Sequence, residues 1–238
     1  MICFLTSCTV VPGTETLNPA NHFIDEMRRC FPENCRALFI CSDPDGHGTT
    51  DFFANSTKKG FDGAGFLFRR YIVLDGRNEQ EAASLIRGSD FIMLAGGHVP
   101  TQNRFFERIG LRKLIQGFPG VIVGISAGTM NAADVVYAQP EAAGEAVDPG
   151  YKKFLTGLNL TKTMLLPHYQ LVRNDVLDGL RLFEDITCPD SRGRTFYAIP
   201  DGSYLYIANG REELRGEAYA VSDGRISRIA DEGDVLKM

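Results

Sequence analysis

The chain has 238 residues, 44% of them apolar, with 25 basic and 30 acidic side chains and a net charge of −5. That size and apolar share suit one compact domain spanning 1–238 with an ample core. There is no basic block to engage nucleic acid. No apolar run approaches the roughly 18 residues of a membrane span. Neither partner is expected.

The first apolar run, Ile2–Ser7, reads as a buried strand. Leu5-Thr6-Ser7-Cys8 imitates a lipoprotein cleavage site, but no basic residue precedes it and its apolar stretch is too short for a signal peptide. Asn18–Cys30 follows with helical spacing at Phe23, Ile24 and Met27, then a strand at Arg36–Ser42. Thr50–Lys59 reads as a helix and Gly60–Gly65 as a break. A third strand, Tyr71–Leu74, precedes a helix around Glu79–Arg87. Asp90–Ala95 is a fourth strand that stops at Gly96-Gly97, and Pro100 opens a helix reaching about Gln116. Val121–Ile125 is the fifth strand, and Ala127–Ala133 can form a helix.

Strands alternating with helices imply parallel βαβ units, with helices on both faces of a sheet buried on both sides. Beyond them, Met164–Leu166 is a short apolar run and Asp175–Glu184 reads as helical. Thr195–Ile199, Tyr204–Ile207, Ala218–Val221 and Ile226–Ile229 read as strands, with Asp223-Gly224 a hairpin turn. The expectation is a three-layer α/β/α fold whose mostly parallel central sheet carries a C-terminal antiparallel extension.

The chemistry centres on Gly124-Ile125-Ser126-Ala127-Gly128. A lone G-x-S-x-G arises by chance in roughly one such chain in ten. Here it follows a strand and precedes a helix, the layout of a nucleophile elbow, which makes Ser126 a candidate nucleophile. A serine hydroxyl needs a base. His168, after Met164–Leu166 and Pro167, lies downstream of the serine, in the chain order of elbow-type hydrolases. The base needs an acceptor to fix its tautomer. Between Ser126 and His168 stand Asp134, Glu141, Glu145 and Asp148. Asp134 falls on the helix after the elbow, pointing away, whereas Glu141 and Glu145 both lie in the loop-like Gln139–Gly150 and both remain open. Ala127 N–H and a Gly96-Gly97 N–H can form an oxyanion hole.

Six cysteines, five within the first 41 residues, form no C-x-x-C pair and no metal-ligand spacing. Reduced, mostly structural thiols in a cytoplasm are expected, with no metal site and no cofactor.

G-I-S-A-G after a buried strand, Ala95-Gly96-Gly97 upstream and Leu166-Pro167-His168 downstream together resemble the peptidase E and cyanophycinase family. The closing Ile199-Pro200-Asp201-Gly202-Ser203 is similar to that family's tail. The resemblance covers nearly the whole chain. It implies serine peptidases on the flavodoxin-like, class I glutamine amidotransferase-like fold, with Ser126 as nucleophile, His168 as base, and Gly97 and Ala127 as oxyanion donors. It also implies a third triad member some fifteen residues past the serine, which favours Glu141 over Glu145.

Peptidase E proper has Gly-Gly-Asn where this chain has Gly96-Gly97-His98, so aspartyl-dipeptide specificity does not carry over on these residues. Arg173 is a loose candidate for a carboxylate clamp. The expected reaction is hydrolysis of short peptides, including dipeptides with an acidic N-terminal residue, through an acyl-enzyme. The expected partner is a small peptide, with a homodimer allowed. Two rivals stand beside it: an amidase or amidotransferase-like protein, and a non-catalytic binding or regulatory protein that keeps the elbow as architecture.

Overall fold

A computed structural model describes all residues from Met1 to Met238. Five parallel strands form the centre: β1 (Ile2–Thr6), β2 (Arg36–Ile40), β3 (Arg70–Leu74), β4 (Phe91–Leu94) and β5 (Val121–Ile125). Their spatial order is β1-β5-β4-β2-β3. Tyr204–Ala208 pairs antiparallel with β1, and Arg211–Arg215 and Val235–Lys237 continue that edge to give eight strands.

Side chains alternate across a strand, and here both sets are apolar. Cys3, Leu5, Leu38, Ile40, Ile92, Leu94 and Ile122 feed one core, which packs against the helices Ala82–Arg87 and Val99–Arg108. Phe4, Ala37, Phe39, Phe91, Met93, Val121 and Val123 feed the other, beneath the helices Phe23–Cys30 and His47–Gly63. Each fully buried Leu, Ile or Phe contributes roughly 1.5–3 kcal/mol by leaving water, so two-sided burial makes these strands the stable floor of the site.

The C-terminal strands differ from the single extension expected. They alternate between two sheets. Thr195–Ala198, Ala218–Ser222 and Arg225–Ala230 join Met164–Leu166 in a separate four-stranded sheet, while Tyr204–Ala208 and Arg211–Arg215 join the central one. The hairpin turn does fall at Asp223-Gly224, between paired strands.

Other differences have local causes. The expected helix over Asp175–Glu184 is instead a two-residue-strand hairpin, Val176–Leu177 against Leu180–Arg181, followed by a helical turn over Leu182–Thr187. Asp178 (φ 52°) and Gly179 (φ 82°) both take positive φ, the requirement of a tight hairpin turn, and this overrides the helical spacing. The helix expected to run from Pro100 to Gln116 breaks at Gly110 (φ 65°) into Val99–Arg108 and Leu111–Leu114. The helix starting at His47 runs on through the expected Gly60 break to Gly63. No helix is long and apolar enough to cross a membrane.

Candidate active site

Parallel pairing brings like strand ends together, and in open parallel sheets sites form at the carboxyl ends. β1 pairs with β5 so that Thr6 stands opposite Ile125, which sets Ser7 and Ser126 side by side in the chain's exit from the sheet. In the smaller sheet Leu166 stands opposite Ala198, again in parallel. His168 and Asp201 follow those two strand ends. Four strand ends therefore deliver four side chains to one region.

Ser126 adopts φ 50°, ψ −112° at the start of the helix Ala127–Asn131. Such a backbone costs on the order of 1–3 kcal/mol and persists only where its surroundings hold it. They do so here. Ser126 N–H donates to Thr6 O (3.1 Å) and Gly128 N–H to Ala95 O (3.0 Å). The Thr129 hydroxyl donates to Thr6 O (2.8 Å), and the Thr6 hydroxyl to Gly124 O (2.8 Å). Ala127 occupies the first helical position, where an N–H has no intrahelical partner. Gly97, with φ 145°, has no backbone partner for its N–H, and a Cβ on its neighbour Gly96 would lie 3.3 Å from Ser126 Cβ. Ala127 thus follows the serine directly, and Gly97 follows the glycine that packs against it.

His168 also takes positive φ, 59°. Its Nδ1 lies 2.7 Å from Asp201 Oδ1, and the Asp201 side chain is only 8% exposed. With Nδ1–H donating to the carboxylate, Nε2 keeps a free lone pair. Burial works to raise the Asp201 pKa, but hydrogen bonds from His168 and Ser7, and the positive charge His168 can carry, outweigh it and hold the carboxyl below its usual range.

The carboxylate at the histidine is thus Asp201, not Glu141 or Glu145. Chain order points to an acid between the serine and the histidine, whereas strand pairing brings in one from 33 residues beyond the histidine. The one signal pointing to it was the Ile199–Ser203 tail segment.

Glu141 accepts Val99 N–H at 2.9 Å. Although the residue is exposed, its carboxyl turns into the cleft, and desolvation there raises its pKa despite the Val99 hydrogen bond. Glu145 lies 2.7 Å from His98 Nε2 and accepts the N–H groups of Glu141 and Ala142, each at 2.9 Å. Desolvation opposes its ionisation; those backbone bonds and His98 outweigh it and lower its pKa. Asp134 pairs with Arg112 and Lys162, away from the serine. Arg173 is exposed and makes no ion pair.

Ser126, Glu141 and His168 line one cleft of about 280 Å3, together with Val99, Met130 and Asp175. Ser126 and His168 make no direct hydrogen bond in this structure; in enzymes without substrate such bonds are commonly long. Larger concavities, about 580 and 820 Å3, open beside Arg36 and Asp90 and beside Arg112 and Phe154, and neither is lined by a histidine. No group of three or more His, Cys, Asp or Glu side chains is arranged to hold a metal ion.

A serine on a strained strand-to-helix turn, sharing a cleft with a carboxylate-held histidine on a mostly parallel sheet, defines the class: a serine-type hydrolase. The chain belongs to peptidase family S51, whose family model matches residues 3–215, and it is a serine-type peptidase. Among solved structures it is similar to a 1.5 Å crystal structure of a candidate peptidase E protein from Listeria monocytogenes EGD-e. The TM-score is 0.58 at 19% identity, over 96% of this chain and 98% of that one. At that identity the likeness carries the fold. Among curated proteins, none matches the sequence.

Proposed function

We propose that this peptidase hydrolyses short peptides through Ser126, His168 and Asp201. The observation that carries the reading is the 2.7 Å contact from His168 Nδ1 to the buried Asp201 carboxylate, with His168 lining the cleft that also holds Ser126.

The Ser126 hydroxyl oxygen attacks the scissile carbonyl carbon while its proton passes to His168 Nε2. The resulting oxyanion faces the N–H groups of Ala127 and Gly97. His168 then gives the proton to the leaving amine and the C–N bond breaks, leaving an ester on Ser126. A water loses a proton to Nε2, attacks the ester and releases the acid, and the proton returns to Ser126. General-base help of this kind supplies roughly 10²–10⁴ in rate. Asp201 stays ionised throughout and stabilises the imidazolium.

The small cleft volume supports short substrates. Its lining offers Glu141 and Asp175 and neither lysine nor arginine. That favours a free α-ammonium group near the carboxylates and gives an acidic side chain no cationic partner. The unpaired state of all six cysteines fits a reducing compartment, the cytoplasm.

The experiment is a library of dipeptides and tripeptides, including Asp-X members and N-acetylated forms, with wild type and Ser126→Ala. Cleavage of free-amino short peptides by wild type alone is the expected result. Equal turnover by Ser126→Ala, or cleavage confined to long or N-blocked chains, would overturn the reading.

A further inference from the structure

We infer that Ser7 is a positioning residue of the catalytic machinery, the point at which the His168–Asp201 pair is registered against Ser126. The inference rests on the reading of those three residues just given. Ser7 is fully buried, at 0% exposure. Its hydroxyl is used on both sides: it accepts the His168 backbone N–H at 2.7 Å and donates to Asp201 Oδ1 at 2.6 Å. That oxygen is the one that faces His168 Nδ1. One hydroxyl therefore fixes the histidine's main chain and the carboxylate that orients its ring.

The residue before it completes the link. Thr6 O receives the Ser126 N–H and the Thr129 hydroxyl, which hold the strained turn. The Thr6-Ser7 peptide is thus a rigid bridge of two residues between the nucleophile's backbone, on the central sheet, and the histidine and acid, on the smaller sheet. Ser7 N–H donates to Ser203 O at 3.3 Å, which ties the same bridge to the chain just past Asp201. Catalytic geometry is sensitive to displacements of about 1 Å, which cost on the order of a hundredfold in rate. The Ser7 hydroxyl, which joins the two halves, is placed where such a displacement would arise. The structural alternative is a serine that merely satisfies a buried N–H; it does not account for the second bond, to Asp201.

The test uses the intact chain and a fluorophosphonate probe, which reacts with an activated serine whatever the peptide specificity. The Ser126 oxygen displaces fluoride from phosphorus and its proton passes to His168. Second-order labelling rates are measured across pH for wild type, Ser7→Ala, Ser7→Cys and Ser126→Ala, with urea denaturation to confirm that each variant folds.

Ser7→Ala is expected to label about ten- to hundredfold more slowly. The low-pH limb of its profile moves to higher pH, because the Asp201 carboxylate, freed of a competing donor, helps the His168–Asp201 pair hold a proton more tightly. Ser7→Cys, which fills the space with a weak hydrogen-bonding group, is expected to resemble Ser7→Ala. Wild-type rate and profile in Ser7→Ala, or full restoration by Ser7→Cys, would overturn the inference and leave the Ser126 reading intact. Absence of wild-type labelling, or equal labelling of Ser126→Ala, would instead overturn the reading and the inference together.

Discussion

Asp201 stands 2.7 Å from His168 Nδ1, while Glu141, in the same cleft, is bonded to the Val99 backbone instead. The two acids should therefore separate kinetically. Asp201→Asn presents the histidine with a group that does not fix its tautomer, and kcat should fall by roughly 10³- to 10⁴-fold, the scale seen on losing the orienting carboxylate of Ser-His-Asp enzymes. Glu141→Gln keeps an acceptor for Val99 N–H and should act mainly on KM. Steady-state kinetics on any cleaved peptide checks this; the larger kcat loss on Glu141 would reverse the assignment.

Asp201 also has a signature in stability. Its folded-state pKa lies below that of the unfolded chain. A depressed carboxyl contributes stability that is present above the unfolded value, about 3.9, and is lost as pH falls through the folded value. The stability difference between wild type and Asp201→Asn should be flat above about pH 4.5 and shrink at lower pH. Urea midpoints measured from pH 3 to 7 show it.

His98 and Glu145 are joined at 2.7 Å, with His98 Nδ1 a further 2.8 Å from the Thr101 hydroxyl. Glu145 in turn holds the N–H groups of Glu141 and Ala142, and Glu141 returns a bond to Val99. Residues 98–99 and 141–145 thus form a closed ring of hydrogen bonds on the rim of the cleft. His98→Ala should free the rim loop, raising KM about three- to tenfold with a smaller loss in kcat and faster proteolysis within residues 139–150, read by mass spectrometry. An unchanged KM and cleavage pattern would count against the latch.

Two glycines are fixed by contact as well as by conformation. A methyl group on Gly128 would meet the Leu94 carbonyl carbon at 2.6 Å, and one on Gly97 would meet Ser42 Cβ at 2.6 Å in a backbone at φ 145°. Gly128→Ala forces the elbow helix off β4 and should cost about 1–3 kcal/mol, the usual range for overpacking, in urea denaturation. Gly97→Ala should cut kcat by tenfold or more, because it moves an oxyanion donor.

The thiols should be inert. Burial pushes Cys3, Cys35 and Cys41 up to about 12 and Cys30 to about 11, so thiolate at pH 8 is scarce. Iodoacetamide should leave activity intact and modify Cys3, Cys35 and Cys41 only after unfolding. Loss of activity alongside modification of one of them would point to a cysteine in the chemistry.

Much of the architecture is written locally. Continuous apolar runs in Ile2–Thr6, Arg36–Ile40 and Val121–Ile125, with helical spacing between, are enough to expect a parallel sheet covered on both faces. The strand–Gly-x-Ser-x-Gly–helix order is enough to single out Ser126. The Asp178-Gly179 hairpin was hidden because one helical period and one tight turn can share the same apolar spacing. The division of the C-terminal strands between two sheets was hidden because alternation marks a strand without naming its neighbour.

By itself, the sequence determined what stands at each strand exit: Ser7, Ser126, His168 and Asp201 all fall within three residues of a strand's last position. Only tertiary structure decided which of them meet. Parallel pairing of Leu166 with Ala198 and of Thr6 with Ile125 sets His168 against Asp201 and Ser7 beside the nucleophile. Register is a long-range property of hydrogen-bonded backbones, so the acid that lies closest to the histidine in the chain has no advantage over one that lies 33 residues beyond it.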